Sequence, residues 1–363
     1  MLRREEIYEA LRTNLKDIVP EVELRYKAEL AYEINRLKKE KKALILAHHY
    51  MGPVLYHSIA DIRGDSLELS RAAAQVENDV ILFCGVRFMA ETAKILSPEK
   101  TVLLPSEEAG CSLSESITAE DVRRLREEFP GVPIVSYINT SAAVKAESDI
   151  CCTSGNCVAV VESLDADTVI FLPDEYLARN VARETSREVV GLMQSGSDDH
   201  ARQENGCKLI SWRGRCEVHE KFSPEDIGNA RRQFSDVLIL AHPECKPGVV
   251  EASDFSGSTS AMIRFIQQSN ARRFLLLTEC AMGENVAASF PDKEMLRLCS
   301  VRCRYMNQIT LEKVLDSLRL RQYEIEIPEE TRIRAVHALE RMLAVSASVS
   351  PVPPRTPHMK VEF

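Results

Sequence analysis

One pattern, written three times, constrains this chain more than any other feature. A short apolar run, Ala43–Ala47 (ALILA), leads into His48, His49 and Tyr50. Ile134–Tyr137 (IVSY) leads in the same way into Asn139 and Thr140, and Val237–Ala241 (VLILA) into His242, Pro243 and Glu244. Continuous apolar runs of this length are what strands of a parallel sheet look like when helices cover both faces. Each run is followed by a small-residue turn that opens a helix: Gly64-Asp65-Ser66, Thr153-Ser154-Gly155 and Gly257-Ser258-Thr259. A second apolar run and an amphipathic helix come next, and each unit closes near a cysteine: Cys111, Cys216 and Cys303.

The spacing supports true repetition. Ser66 to Ser154 and Gly85 to Pro173 are both 88 residues, while Ser154 to Ser258 is 104 and Pro173 to Thr278 is 105. Cys111 to Cys216 is 105 and Cys216 to Cys303 is 87, so one insertion of about 17 residues in the middle unit reconciles the offsets. The polar segment Ser195–Gly206 lies where that insertion must be and has the composition of a loop.

The fold class expected is therefore α/β: three pseudo-symmetric αβα domains, each a small parallel sheet covered by helices, around a central active site. The first unit spans 1–115 with N-terminal helices and is completed by C-terminal helices over 310–345; the second spans 116–220, with the insertion near 190–206; the third spans 221–309. Residues 346–363, rich in Ser and Pro, are expected to be disordered.

Composition narrows the partners. With 46 Lys and Arg against 55 Asp and Glu, the net charge is -9, and the one basic run, Lys38–Lys42, is short. Nucleic acid and anionic membrane are excluded as partners on that balance. No stretch approaches the roughly 18 apolar residues of a membrane span, and the charged N-terminus resembles neither a signal nor a transit peptide. A cytoplasmic protein is expected. Eleven cysteines, an odd number, then point to buried thiols, metal ligation or catalysis rather than a disulfide framework.

Ligands of open parallel sheets bind beyond the carboxyl ends of the strands. If the units face one another, those ends converge on one pocket lined by His48, Tyr50, Tyr137, Asn139, His242 and Glu244, with the three cysteines meeting at one end. Three thiolates from three units suit a soft metal centre, zinc, copper(I) or iron–sulfur, although each cysteine alone reads equally as a small buried residue. Cys299 is the rival to Cys303, whereas Cys151, Cys152 and Cys157 have no counterparts and read as structural. Ser66, Ser154, Ser258 and Thr259 sit at helix starts, where they can cap the helix or help bind an anion. His242 and Glu244 put an imidazole beside a carboxylate, and Tyr50 and Tyr137 are phenols suited to proton transfer. His49, His57, His200 and His337 read as structural or surface residues.

The segments ILAHHY (45–50), GDSLELSR (64–71), GVRFMAETAKILSPEK (85–100), YINTSAAVKAESD (137–149), CTS (152–154), AHPE (241–244) and GSTS (257–260), with the three cysteines, resemble quinolinate synthase from about Leu44 to Glu340. The resemblance implies an enzyme of NAD biosynthesis that condenses iminoaspartate with dihydroxyacetone phosphate to give quinolinate, phosphate and water. It implies a [4Fe–4S] cluster on Cys111, Cys216 and Cys303 that acts as a Lewis acid through one open iron. It also implies substrate contacts from His48, Ser66, Tyr137, Asn139, Ser154, His242, Glu244, Ser258 and Thr259, and acid–base roles for Tyr50, Tyr137, His242 and Glu244. A functional link to L-aspartate oxidase follows from the same resemblance. The insertion, the Pro-rich tail and the sequence CSVRC (299–303) depart from the usual pattern. Two other readings use the same residues: a zinc-dependent lyase or aldolase, and a metabolite-binding relative without turnover.

Overall fold

The computed structural model describes residues 3–191, 206–296 and 301–348. The first unit comprises α1 (Arg4–Leu15), α2 (Glu21–Glu40), β1 (Ala43–His48), α3 (Pro53–Ser58), β2 (Ile62–Gly64), α4 (Ser66–Gln75), β3 (Val80–Cys84), α5 (Arg87–Leu96), β4 (Thr101–Leu103) and α6 (Ser112–Glu115). The second comprises α7 (Ala119–Glu128), β5 (Ile134–Tyr137), α8 (Ala142–Ala146), β6 (Ile150–Cys152), α9 (Cys157–Glu162), β7 (Thr168–Leu172), α10 (Glu175–Glu184), β8 (Glu188–Gly191) and β9 (Lys208–Ser211). The third comprises α11 (Pro224–Gln233), β10 (Leu238–Ala241), α12 (Pro247–Ala252), β11 (Phe255–Ser256), α13 (Thr259–Gln268), β12 (Arg273–Leu277), α14 (Cys280–Ser289) and β13 (Glu294–Leu296), and α15 (Leu311–Leu320) and α16 (Glu329–Ser348) follow.

Three parallel sheets result, ordered β2-β1-β3-β4, β6-β5-β7-β9-β8 and β11-β10-β12-β13. The α/β architecture expected from the repeat is the one observed. Each unit also holds a short helix and a two- or three-residue edge strand (β2, β6, β11) between its first strand and its turn. Those edge strands, IRG, ICC and FS, are too short to leave a periodic signal in sequence.

The repetition extends to single hydrogen bonds. The Ile45, Ile134 and Ile239 amides donate to the carboxylates of Asp61, Asp149 and Asp254 at 2.9, 2.8 and 2.8 Å. Those aspartates lie 88 and 105 residues apart, on the same offsets as the rest of the repeat. Each also pairs with a cation from the helix before the first strand: Lys38 at 2.8 Å, Arg126 at 3.2 Å and Arg231 at 2.9 Å. The same three cations cap the carbonyls of Ile59, Glu147 and Ala252. One latch thus fastens the edge strand to the central strand in every unit and fixes where the strand ends, and the site residues, emerge.

In the middle unit, β8 is an additional strand at the outer edge of the sheet, beside β9. It accounts for part of the insertion; the loop expected over 195–206 lies, apart from Gly206, outside the described residues. The C-terminal helices divide between units: α15 packs on α2 of the first, whereas α16 lies across α8, β6 and α9 of the second and touches α5. Helix α16 runs on to Ser348, so the expected disorder does not begin at residue 346. There the Asn156 amide donates to the Ser346 hydroxyl at 2.6 Å and Arg71 donates to its carbonyl at 3.0 Å. Residues 349–363 lie outside the described part. No helix among the described residues is long and apolar enough to cross a membrane.

Candidate active site

The carboxyl ends of the three sheets enclose a cavity of about 640 Å³. His48, Tyr50, Ser66 and Cys111 reach it from the first unit; Tyr137, Asn139, Ser154 and Cys216 from the second; His242, Glu244, Thr259 and Cys303 from the third. Ser258 is not among the lining residues. Its hydroxyl instead caps α13, accepting from the Ala261 amide at 3.3 Å. In the corresponding place Asp65 caps α4, accepting from the Leu67 and Glu68 amides, and it also lines the cavity. The residues one step on, Ser66 and Thr259, are thereby left to face the cavity.

The three cysteines have equivalent backbone settings. Each starts a helical turn, with the carbonyls of Cys111, Cys216 and Cys303 accepting from the amides of Glu115, Glu220 and Asn307 at 3.0, 3.0 and 3.1 Å. The amides two and three residues on face each sulfur: Leu113 and Ser114, Val218 and His219, Tyr305 and Met306. Burial pushes the thiols up, Cys111 to about 12, Cys303 to about 11 and Cys216 well above its ordinary value, while those amides pull each one down. Such thiols stay protonated until a metal takes the proton's place, and the amides are set to receive the resulting charge. The loop to Cys216 is held close by Gly214, where a Cβ would lie 2.4 Å from the Pro173 carbonyl oxygen. Cys299 lies outside the described residues.

His48 and His242 are buried, 5% and 4% exposed, at matching positions. The Tyr50 amide donates to His48 Nδ1 at 3.2 Å, and the Glu244 amide donates to His242 Nδ1 at 3.3 Å. Burial holds His48 well below its ordinary value and His242 at about 3, so both rings are neutral. With Nδ1 accepting, the proton is assigned to Nε2, which makes each ring a neutral donor for an oxygen in the cavity. Asn139 Oδ1 is buried without a partner among the described residues.

The acid–base groups form one connected set. Glu244, 3% exposed, accepts from Tyr137 Oη at 2.5 Å and from His219 Nδ1 at 2.7 Å. Burial alone would raise this carboxyl, but His219 and the two hydrogen bonds outweigh it and hold the group well below the usual range. On its other side, His219 Nε2 meets Thr278 Oγ1 at 2.9 Å, and Thr278 meets Tyr50 Oη at 2.5 Å. A carboxylate, an imidazole, an alcohol and a phenol are therefore linked across all three units. That sequence of groups can pass a proton from one end of the cavity to the other.

His219 and Thr278 are site residues that repetition cannot reveal. The counterparts of His219 are Ser114 and Met306, so no matched histidine draws attention to it. Its one sequence signal is its place three residues after Cys216. His49, read as structural or surface, is buried behind the cavity wall with its Nδ1 2.9 Å from the Thr259 hydroxyl. Among the described residues, Cys216, His219 and Glu244 are the trio of metal-ligand atoms that all lie within 4.8 Å of one another; the three cavity thiols are not such a trio.

Comparison with known proteins agrees with this geometry. The sequence model of the family described as Quinolinate synthetase A protein matches residues 32–344. A quinolinate synthase from Sinorhizobium fredii is 48% identical over 333 residues, covering 92% of this chain and 87% of that protein. One from Agrobacterium fabrum is 51% identical, covering 86% and 84%, and one from Xylella fastidiosa is 50% identical, covering 86% of each. A cavity walled by three repeated units, and similarity over nearly the whole chain, lead to one conclusion: the chain belongs to the quinolinate synthase family.

Proposed function

We propose that this protein condenses iminoaspartate with dihydroxyacetone phosphate to give quinolinate, phosphate and water, and that it does so with a [4Fe–4S] cluster held by Cys111, Cys216 and Cys303. The observation that carries the reading is the matched trio of cavity thiols, each starting a helical turn with two amides toward its sulfur. A single tetrahedral zinc, with bonds of about 2.3 Å to sulfur, needs ligands all within about 4 Å of one another, and the three thiols are not a trio lying within 4.8 Å, which favours the larger cluster. When bound, the cluster supplies an iron with an open coordination position that polarises a substrate oxygen.

The chain's own residues supply the rest. Neutral His48 and His242 donate Nε2–H to substrate carboxylate or carbonyl oxygens. Ser66, Ser154 and Thr259 offer hydroxyls beside helix starts that favour anions. Glu244 takes protons from carbon or nitrogen with Tyr137 and His219 as its relays, and Tyr50, backed by Thr278, delivers a proton to a departing hydroxyl. Free thiols at Cys111, Cys216, Cys303 and six other cysteines among the described residues suit the reducing cytoplasm. L-aspartate oxidase is the partner enzyme this reaction calls for, since its imine product is unstable.

A second reading, a zinc-dependent lyase, rests on the Cys216, His219 and Glu244 trio. Anaerobic purification separates the two: about four iron and four sulfide per chain support the cluster, and one zinc supports the lyase. The deciding assay supplies that protein with dihydroxyacetone phosphate and freshly generated iminoaspartate. Quinolinate is expected, and its absence from a fully iron-loaded preparation overturns the proposal.

A further inference from the structure

Lys145 is fully buried, at 0% exposure, yet neither the thiol ring nor the proton relay uses it. Its ammonium donates to the Ile138 carbonyl at 2.9 Å and to the Thr140 carbonyl, and it lies 5.5 Å from the centroid of Phe88, a cavity-lining ring. No carboxylate among the described residues comes within 4.0 Å of it; the nearby Glu91 already accepts from the Ala142 amide at 2.9 Å. Its repeat counterparts are His57 and Val250, so the unit fold does not need a lysine here. Burying an ammonium without an ion-pair partner is costly, and a neutral side chain would fill the space more cheaply. Burial pulls the amine below its ordinary value, against Cys151, Glu91 and Cys111, which favour the charge.

Both carbonyls that Lys145 holds belong to the turn 137–140, which presents Tyr137 to Glu244 and Asn139 to the cavity. We propose that Lys145 is a positioning residue of the reaction, whose charge pins this turn and so aims Tyr137 at Glu244 and Asn139 into the cavity. The turn's other ties are the Ile138 amide to the Cys152 carbonyl at 2.7 Å, the Thr140 amide to the Ile138 carbonyl at 2.8 Å and the Thr140 hydroxyl to the Tyr137 carbonyl at 3.0 Å. The last two lie within the turn itself; the Ile138–Cys152 bond and the two from Lys145 are what tie its backbone to other elements.

The turnover arm of the test rests on the reaction proposed above; a second arm does not. In hydrogen–deuterium exchange on the whole protein, Lys145→Met and, should that variant fold poorly, Lys145→Gln are expected to exchange at least tenfold faster over 137–140. Exchange over 238–241, in the third unit, should stay unchanged. In turnover, Lys145→Met is expected to lower kcat about 10- to 100-fold with KM within threefold. In a Tyr137→Phe background the same change should cost clearly less than in the wild type, because of the two residues that Lys145 aims only Asn139 is left to lose its place. Unchanged exchange over 137–140, or an undiminished loss in the Tyr137→Phe background, overturns the proposal. If the wild-type protein makes no quinolinate, the reaction assigned here fails, and exchange alone decides the role of Lys145.

Discussion

Replacing Glu244 by Gln tests the acid–base set where its links converge. The carboxylate accepts two short hydrogen bonds, from Tyr137 and His219, and a glutamine offers one oxygen and one NH₂ in the same volume. Tyr137 can turn its hydroxyl to accept, but His219 can accept at Nδ1 only by moving its proton to Nε2, which faces Thr278. Each hydrogen bond to the charged group is worth about 1.5–3 kcal/mol against about 0.5–1.5 for a neutral pair, so the ground-state loss is about 1–3 kcal/mol. Loss of the base itself costs about 10²- to 10⁴-fold in rate, or about 3–5 kcal/mol. The variant should therefore fold, retain iron and brown colour, and form quinolinate at least 100-fold more slowly under anaerobic conditions. Activity within threefold of wild type at equal iron content would refute the role of Glu244.

Three further outcomes are expected. Serine at Cys111, Cys216 or Cys303 should abolish iron retention on anaerobic gel filtration, whereas serine at Cys151, Cys152 or Cys157 should leave it intact. The neutral His242, at about 3, and His49, at about 4, are depressed in the folded state, so the unfolded chain takes up protons first as pH falls below about 6.5. Their stability contribution is complete above that pH and declines toward pH 4, each by about 1.4 kcal/mol per pH unit; equal urea midpoints for the apoprotein at pH 7.5 and pH 5 would contradict this. Ser258→Ala should cost about 0.5–2 kcal/mol of stability through the lost cap, with KM unchanged, while Thr259→Ala should raise KM about tenfold; a reversed pattern in steady-state kinetics would place Ser258, not Thr259, on the substrate.

Much of this molecule is legible in its sequence because it is written three times. Repeated runs and matched offsets pick out His48, His242, Ser66, Ser154, Ser258 and the cysteine trio without any contact being known. The same criterion overlooks what occurs once. His219 and Lys145 stand where the other units carry unrelated residues, and the physical reason for each is a partner from a distant element: Glu244 for the first, the carbonyls of the 137–140 turn for the second. Asp61, Asp149 and Asp254 do repeat, but as single polar residues in connecting segments they carry no periodicity to separate them from loop composition. Ser258 shows the opposite limit. Its adjacency to Thr259 suggests a shared task, and only the direction in which a cap points divides them.

The apolar cores bear on how the molecule fails. One continuous core joins the first unit to the second, while the third unit carries separate cores on the two faces of its own sheet. Toward its neighbours the third unit packs α14 on α1 and α3 and α12 on α10, and adds discrete polar ties such as Asn180 to the carbonyls of Pro243 and Cys245, and Asn285 to those of His49 and Met51. A shift of that unit as a rigid body would carry Cys303 away from the other two sulfurs while leaving every sheet intact. With the proposed cluster bound, gentle heating or dilute denaturant is then expected to bleach the protein before its helical signal fades, which would make pigment the earliest gauge of how well the three lobes are seated.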